Sequence, residues 1–445
     1  MEKRISMHLI LCLLMSFSIA CKKSETLITE DNKEIPAQPE QPVTPTTPTT
    51  PPITPTEPDP DATVYEFGRG TGSLVIDGNT FTLASKAIIK IKSGTYSTIN
   101  IVNIKGTEDK PVFVKNDGQV TITQGMFTDN IENVVIAGDN NSNITYGFKF
   151  ENISYRAVQF NGKMNGVTLK NMSFTNVNDY VISSNSNSGM PYNGSKDSRV
   201  EKFKILNCLF DGTGQISLGG NLSKETGQDN GLFKDVEIAY NEFKNTNIGT
   251  LCSFTNVQDY NIHHNIVNNV NPSNNNHNGI FSMQGNGIFH DNKLTNYQGN
   301  AIRMWLYSRG SIPATVEIYN NICYNTRKYG AFELQMFDRN IVPGKSTYAN
   351  AKVYNNTAGR MNTNEDWHGQ MLDLYNTGGT LEYYNNLGFD LYSSDPNRPV
   401  NNMINNMSDT KIIVESNNKY VSKENAINNL TDFTSKISGV GAAIR

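Results

Sequence analysis

The chain has 445 residues, with 38 Lys and Arg against 42 Asp and Glu and a formal net charge of −4 at pH 7. This near-balance argues against nucleic acid as a partner, because phosphate binding requires a basic face. Only Cys208, Cys252 and Cys323 follow Cys21, without CxxC or Cys/His clustering, so the sequence predicts no metal site.

The first twenty residues are organised as a secretory signal peptide. Lys3 and Arg4 precede a largely apolar run, residues 9–19, that is too short for a stop-transfer helix. Ser-Ile-Ala-Cys at residues 18–21 resembles a bacterial lipobox, with Ser in place of the usual Leu. The resemblance implies a protein that is secreted and held at the outer membrane or cell surface only through a lipid on Cys21. A plain secretory leader with an incidental Cys is the alternative.

Residues 21–60 are predicted to form a disordered tether. Residues 36–60 are mostly Pro, Thr, Glu and Gln, which cannot bury apolar surface and favour an extended, polyproline-like chain. Nothing after residue 20 is long and apolar enough to cross a membrane. The folded body is predicted at residues 61–445, as a monomer.

A short unit recurs through this body: an alternating apolar and polar strand followed by Asn. Asn tolerates the left-handed backbone of a sharp corner, and its amide can hydrogen-bond to the Asn of the next coil. The recurring residues are spaced by roughly 19 to 36 positions, which is typical of solenoid coils. They are Asn152, Asn171, Asn207, Asn241, Asn265, Asn292, Asn321, Asn356, Asn386 and Asn406. The pattern predicts an all-β fold, a parallel β-helix.

The first coils of the body add a resemblance to known proteins. Residues 87–96, 101–107 and 111–114 resemble the first coils of the pectate-lyase-like right-handed parallel β-helix proteins. The resemblance covers most of residues 64–414 and implies a right-handed solenoid, an architecture more than a particular family.

A second strand of each coil can be aligned by its apolar alternation, at residues 281–284, 302–305, 332–335 and 372–375. Residues on the outward face should then form columns with a spacing of about 4.8 Å between coils. One column is Ser282, Arg303, Glu333 and Asp373, and its neighbour is Gln284, Trp305, Gln335 and Tyr375. Aromatic rings beside planar polar groups are typical of sugar recognition, so we expect these columns to face solvent and bind a glycan.

Long insertions are predicted to wall a groove along these columns, because loops on a rigid scaffold often carry function. The insertions are residues 185–199, 221–230, 271–279, 338–349 and 360–370. Within them Asp338, Asp366 and His368 are candidate substrate-binding residues, together with Gln284, Trp305, Gln335 and Tyr375. The simpler interpretation is that Arg303 and Glu333 form an exposed ion pair of little energetic consequence.

The columns are compatible with glycosidic-bond cleavage in a polysaccharide. A hydrolase requires one carboxylic acid and a second carboxylate, so Glu333 and Asp373, beside Arg303, are the candidate catalytic residues. A uronate lyase instead requires a base near C5 and a cation for the substrate carboxylate. A non-catalytic glycan-binding or adhesive surface lipoprotein is the alternative to both enzymes.

Residues 281–285 and 299–303 resemble the paired-coil catalytic region of the alginate lyase and chondroitinase B group. In that comparison Arg303 matches the family's arginine, but the position of the catalytic Lys falls on Gln284 and the acidic calcium ligands are absent nearby. We therefore expect a hydrolase ahead of a lyase. No cofactor is assigned, and calcium enters only if the protein is a lyase.

Overall fold

The computed structural model describes residues 58–186, 189–223, 226–309, 312–337, 348–408 and 410–443. The predicted signal peptide, the predicted lipidation site Cys21, residues 21–57 of the predicted tether and Asp338 lie outside the described residues. Among the described residues, no helix has the length and apolar character needed to span a membrane.

The described residues form 29 strands that belong to a single sheet. The strands are β1 (Thr63–Phe67), β2 (Thr71–Asp77), β3 (Ala87–Val102), β4 (Val112–Ala137), β5 (Phe148–Ile153), β6 (Val158–Lys170), β7 (Met172–Ser184), β8 (Arg199–Glu201), β9 (Lys204–Leu206), β10 (Leu209–Leu218), β11 (Leu232–Lys234), β12 (Glu237–Ala239), β13 (Glu242–Thr246), β14 (Cys252–His263), β15 (Ile266–Val270), β16 (Gly279–His290), β17 (Lys293–Tyr297), β18 (Asn300–Leu306), β19 (Ala314–Tyr319), β20 (Ile322–Thr326), β21 (Phe332–Met336), β22 (Ala349–Tyr354), β23 (Thr357–Met361), β24 (Leu372–Leu374), β25 (Gly378–Tyr384), β26 (Leu387–Leu391), β27 (Ile404–Asn406), β28 (Lys411–Ser416) and β29 (Lys419–Tyr420). Three 3-10 helices (Gly78–Thr80, Lys196–Ser198 and Val400–Asn402) and one short α-helix, α1 (Lys423–Ala426), complete the described regular structure.

Each named strand pairs in parallel with the equivalent strand of the next coil, which confirms the predicted parallel β-helix. Three lines of strands run through the second half of the body. The first line contains β12, the end of β14, the end of β16, β19, β22, β25 and β28. The second contains β13, β15, β17, β20, β23, β26 and β29. The third contains the start of β14, the start of β16, β18, β21, β24 and β27. The right-handed winding stays a prediction from the resemblance.

The core lies inside the coils, where alternate side chains of each strand point. The predicted inward residues of the third line are all fully buried: Phe281, Met283, Ile302, Met304, Phe332, Leu334, Leu372 and Leu374. Aromatic rings in equivalent positions stack from coil to coil, as Phe174, Phe210 and Phe243 do with centroids 5.0 and 4.6 Å apart. Full burial of each such side chain contributes about 1.5–3 kcal/mol.

A ladder of buried Asn side chains follows the corner between the first and second lines. Its members are Asn241, Asn265, Asn292, Asn321, Asn356, Asn386 and Asn418. Asn321 is representative, because its backbone N–H and its side-chain amide both donate to Asn356 Oδ1 at 3.0 Å. The amide pairing predicted from the repeat is confirmed for Asn241 to Asn386.

Two details of the repeat differ from the prediction. The left-handed backbone lies on the residue just before each ladder Asn, such as Asn320 and Asn355 with φ of 54° and 53°, so two adjacent residues share the roles predicted for one. Asn406 pairs with Leu374 in the third line, and its assignment to the repeat was wrong. Asn152, Asn171 and Asn207 adopt left-handed backbone at corners instead of joining the ladder.

Candidate functional site

The predicted columns lie on the third line of strands. Successive coils place Ser282, Arg303, Glu333, Asp373 and Asn405 in register. The neighbouring column contains Gln284, Trp305 and Gln335. Tyr375 continues that column, and its backbone N–H donates to Leu334 O at 2.9 Å. The register predicted from apolar alternation is therefore confirmed.

The charged column is buried, and the prediction that it faces solvent is wrong. The exposed fraction is 0% for Glu333 and 3% for Asp373, whereas the Arg303 side chain keeps 17%. The physical reason is that the segment before β16 covers part of the column, because its His277 side chain contacts Glu333. A fully desolvated carboxylate must be neutralised by its neighbours, so its partners define what the site can do.

Glu333 is the centre of a hydrogen-bonded network. Arg303 Nε donates to Glu333 Oε1 at 2.7 Å, and the side-chain amide of Gln335 donates to the same oxygen. His277 Nε2 lies 2.8 Å from Glu333 Oε2. Burial raises the pKa of Glu333, but the hydrogen bond from His277 and the charge of Arg303 outweigh burial and lower that pKa overall. Glu333 is therefore an ionised carboxylate whose Oε1 accepts two hydrogen bonds and whose Oε2 lies against the His277 ring.

His277 has a defined tautomer because two acceptors surround one of its nitrogens. Besides Glu333 Oε2, Asn300 Oδ1 lies 3.0 Å from His277 Nε2. The orientation of the Asn300 amide is fixed from its other end, where Nδ2 donates to Gly330 O at 3.2 Å and to Asp373 Oδ2 at 3.4 Å. The proton of a neutral His277 must then be on Nε2, which leaves the lone pair on Nδ1. His277 Nδ1 makes no hydrogen bond within the described part of the chain, and 27% of the side chain is exposed.

Asp373 lies in a different electrostatic environment from Glu333. Its Oδ1 accepts a hydrogen bond from Asn405 Nδ2 at 2.9 Å, and Oδ2 accepts the longer one from Asn300. Burial raises the pKa of Asp373 to about 7, with a further increase from the charge of Glu333 and an opposing effect of the Asn405 amide. The two pKa values are thus shifted in opposite directions, so Glu333 is ionised and Asp373 protonated between the lowered pKa of Glu333 and about pH 7.

Aromatic side chains from two loops form a wall beside this network. The Tyr329 ring stacks on the His277 ring at a centroid distance of 4.1 Å, and Trp367 contacts Tyr329 edge-on at 5.8 Å. Lys328 Nζ lies 5.5 Å from the Tyr329 ring centroid and 5.4 Å from that of Trp367. It also forms an ion pair with Asp366 at 3.1 Å. Trp367 is the exposed member of this wall and offers an apolar face to a ligand.

The remaining predicted site residues are distributed around this centre. Trp305 is half-buried, with the Arg303 guanidinium 4.8 Å from its ring centroid. Gln284 is half-buried on the preceding coil, and the Gln335 amide on the next coil donates to Glu333. Tyr375 is exposed, and burial of part of its ring raises its pKa, so the phenol stays protonated. His368 Nδ1 lies 3.3 Å from Ser393 Oγ, and the His368 ring centroid lies 5.4 Å from that of Trp367. The binding roles of these residues stay predictions.

Four contributors to the site were not found from the sequence: His277, Asn300, Tyr329 and Asn405. Asn405 extends the predicted charged column, since it is in register with Asp373, whereas Asn300 begins β18 and lies outside both columns. His277 lies inside a predicted groove-walling insertion, residues 271–279, which was a usable signal. Tyr329 had none, because an isolated Tyr between two strands has no pattern that assigns its direction.

The acidic residues of the column do not fit a calcium site. Calcium requires several oxygen ligands, among them ionised carboxylates. Glu333 Oε1 accepts hydrogen bonds from Arg303 and Gln335, its Oε2 lies against His277, and burial raises the pKa of Asp373 to about 7, so the column does not supply a set of free ionised carboxylates. The chemistry of this site therefore has to be derived from side chains alone.

Comparisons with known proteins give only distant matches. No family model matches the chain, and no curated protein matches it. One similar solved structure is a PL6 family polysaccharide lyase from Pseudopedobacter saltans, with 11% identity, a TM-score of 0.42 and coverage of 83% of this chain and 97% of that one. The pectate lyase Pel9A has 11% identity and a TM-score of 0.34, and the match covers 81% of this chain and 81% of that one. The PL6 family alginate lyase AlyGC has 11% identity and a TM-score of 0.39, and the match covers 83% of this chain and 56% of that one. Because the identities and TM-scores are this low, the parallel β-helix is established by the strand pairings alone, and no activity is inferred from these similarities.

Proposed function

We propose that the protein is an extracellular lyase that cleaves acidic, uronate-containing polysaccharides by β-elimination, with His277 as the base. The observation that carries the proposal is the position of His277 Nε2 between Glu333 Oε2 at 2.8 Å and Asn300 Oδ1 at 3.0 Å. These acceptors hold the proton on Nε2 and present the Nδ1 lone pair at the partly exposed edge of the ring. A positioned base of this kind contributes about 10²–10⁴ to a rate.

In the proposed elimination, roles are assigned to His277, Arg303 and Tyr375. Nδ1 takes the C5 proton, the electrons form the C4–C5 double bond, and the bond from C4 to the glycosidic oxygen breaks. Arg303 lies beside the base, because its Nη1 donates to the backbone oxygen of His277 at 2.8 Å. Its Nη2 donates no hydrogen bond within the described part of the chain and is assigned to the substrate carboxylate. Tyr375, an exposed phenol on the neighbouring column, is assigned the proton transfer to the leaving oxygen.

Glu333 is a positioning residue in this scheme. Its carboxylate holds the tautomer of His277 and the side chain of Arg303, and with 0% exposure it does not reach a sugar. Hydrolysis is the second candidate, favoured by the opposite protonation states of Glu333 and Asp373. It is placed second because each carboxyl group is buried and hydrogen-bonded within the column.

The setting of the reaction is part of the proposal. The signal peptide and the lipobox-like residues 18–21 support secretion and attachment to the outer membrane or cell surface through Cys21. The Pro-rich residues 36–60 would then hold the solenoid away from that surface, where a long polymer can reach it.

The test is a substrate panel with the full chain and two variants. Polyuronates and neutral glucans are supplied in parallel, while ultraviolet absorbance of unsaturated uronates and reducing ends are followed together. We expect both signals to rise with a polyuronate only, and His277→Ala to lower kcat by about 10²–10⁴. Asn276→Ala is the matched control, because its side chain is exposed on the same loop. Reducing ends without ultraviolet absorbance would indicate hydrolysis, and binding without either signal would indicate the non-catalytic alternative.

A further inference from the structure

A second cluster of ionisable side chains lies at the corner between the first and second lines of strands. His263 ends β14 and is followed by His264, and His290 ends β16 and is followed by Asp291. Ligand atoms of His264, His290 and Asp291 all lie within 4.8 Å of one another. The whole chain has six His, so half of them are concentrated here. The cluster is at the opposite end of β16 from the His277 loop.

The corner position itself does not require these residue types. His264 and Asp291 have left-handed backbone, with φ of 53° and 54°, and the equivalent residues of the next coils are Asn320, Asn355 and Asn385. Asn favours this conformation and supplies a hydrogen-bonding side chain. Two successive coils therefore carry metal-ligating side chains where the following coils carry Asn.

The hydrogen bonds around His290 direct a lone pair at a carboxylate. His290 Nε2 lies 2.9 Å from Asn261 Oδ1, so the proton of a neutral ring is on Nε2 and the lone pair is on Nδ1. That Nδ1 lies 2.6 Å from Asp291 Oδ2. Two acceptors this close require a cation between or beside them, which is either a proton or a metal ion. The other oxygen of Asp291 already accepts from the Asn320 amide, so Oδ2 is the one available as a ligand.

His263 and His264 show a similar convergence. His263 Nε2 lies 3.3 Å from Glu237 Oε1, which places the proton of that neutral ring on Nε2. Its Nδ1 then accepts from the Nδ1–H of His264 at 2.9 Å, which leaves the lone pair of a neutral His264 on Nε2 as the ligand atom. Ring nitrogens whose opposite N–H is held by a carboxylate or amide oxygen are the usual arrangement of metal-binding His, because the outer partner fixes tautomer and ring direction.

We propose that His264, His290 and Asp291 form a binding site for a divalent transition-metal ion, best matched by Zn²⁺, with a fourth position left to water. Two imidazoles and one carboxylate are typical zinc ligands, whereas calcium and magnesium prefer all-oxygen sites. The side chains of His290 and Asp291 keep 14% and 18% exposure, so an ion can enter and retain a solvent ligand. This site goes beyond the proposed lyase activity and does not depend on it. It also revises the expectation that the chain has no metal site, which was based on the absence of CxxC motifs and of Cys/His clusters.

The experiment measures metal binding directly on the full chain. The protein is stripped with a chelator and titrated calorimetrically with Zn²⁺, and with Ca²⁺ as the oxygen-seeking comparison. Co²⁺ is then added in place of Zn²⁺ to record the visible absorption of a four-coordinate site. We expect about one equivalent of Zn²⁺, a Co²⁺ band, and no comparable binding of Ca²⁺.

Two variants and one control locate the ion. His264→Asn and Asp291→Asn introduce the residue that following coils carry at this corner, so the fold is retained, and circular dichroism verifies it. Each should lower Zn²⁺ affinity by about 100-fold or more and abolish the Co²⁺ band. His368→Asn, which removes a His elsewhere, should leave both unchanged. Absence of Zn²⁺ binding, or unchanged affinity in both corner variants, would overturn the proposal and leave His290 and Asp291 as a protonated ion pair.

Discussion

Asp373 is the residue whose environment makes the most quantitative prediction. Its carboxyl group is buried, and burial raises its pKa from 3.8 to about 7. Asp373→Asn replaces this group with one that does not ionise. The amide oxygen can keep the hydrogen bond from Asn405, while its NH₂ group faces Asn300 Nδ2, which costs about 1 kcal/mol at every pH. The informative quantity is therefore how the stability difference between variant and wild type changes with pH.

The sign and size follow from proton linkage. Below about pH 4 the carboxyl group is protonated in both folded and unfolded chains, and it has no pH-dependent effect. Between about pH 4 and 7 the unfolded chain releases the proton and the folded chain keeps it, so wild-type stability falls as pH rises. Each pH unit corresponds to about 1.4 kcal/mol, giving about 4 kcal/mol between the pKa of 3.8 and the raised pKa of about 7. Above pH 7 the effect levels off.

The assay is urea unfolding of wild type and Asp373→Asn at pH values from about 4 to 8, followed by far-ultraviolet circular dichroism. The variant should gain stability relative to wild type as pH rises, by up to about 4 kcal/mol. Subtraction removes the contributions of titrating groups that do not interact with Asp373. A difference that stays constant over this range would refute a buried carboxyl group with a raised pKa.

Two further predictions concern the network and the scaffold. Glu333→Gln should lower kcat by about 10²–10⁴ with little change in KM. Arg303 and Gln335 would hold the amide oxygen, so the NH₂ group would face His277 Nε2 and force the wrong His277 tautomer. A change in KM alone, measured by steady-state kinetics, would contradict this prediction. Asn321→Ala should destabilise the solenoid by about 2–4 kcal/mol, because the Asn321 amide donates to three oxygens and its Oδ1 accepts from both the backbone and the side chain of Asn292. Exposed Asn397→Ala should change stability by less than about 0.5 kcal/mol. Equal thermal melting shifts for the two variants would count against a structural role of the ladder.

The sequence predicted the register of the site because strand alternation is strict. Phe332 and Leu334 must point inward, so Glu333 and Gln335 must point outward, and the same rule places Arg303 one coil earlier. This local rule is independent of what covers the strand. The alternation rule therefore predicted the column correctly, but the expectation that the column faces solvent was wrong.

What the sequence could not supply is the direction of loop side chains. His277 lies in a segment without strand periodicity, so no pattern shows that its ring lies on Glu333 and stacks on Tyr329. The misassigned Asn406 has a related cause. Its local sequence resembles the other Asn units, but only strand pairing distinguishes the third line from the corner where Asn418 completes the ladder.

The central claim is that His277, held by Glu333 and Asn300, removes a proton from a uronate, and product mass tests it most directly. A polyuronate digested by the full chain should yield oligosaccharides one water lighter than hydrolysis products, each with a double bond at its non-reducing end. His277→Ala should yield almost none of them at equal protein concentration. Products of the full hydrolytic mass, or unsaturated products formed equally fast by His277→Ala, would contradict the account.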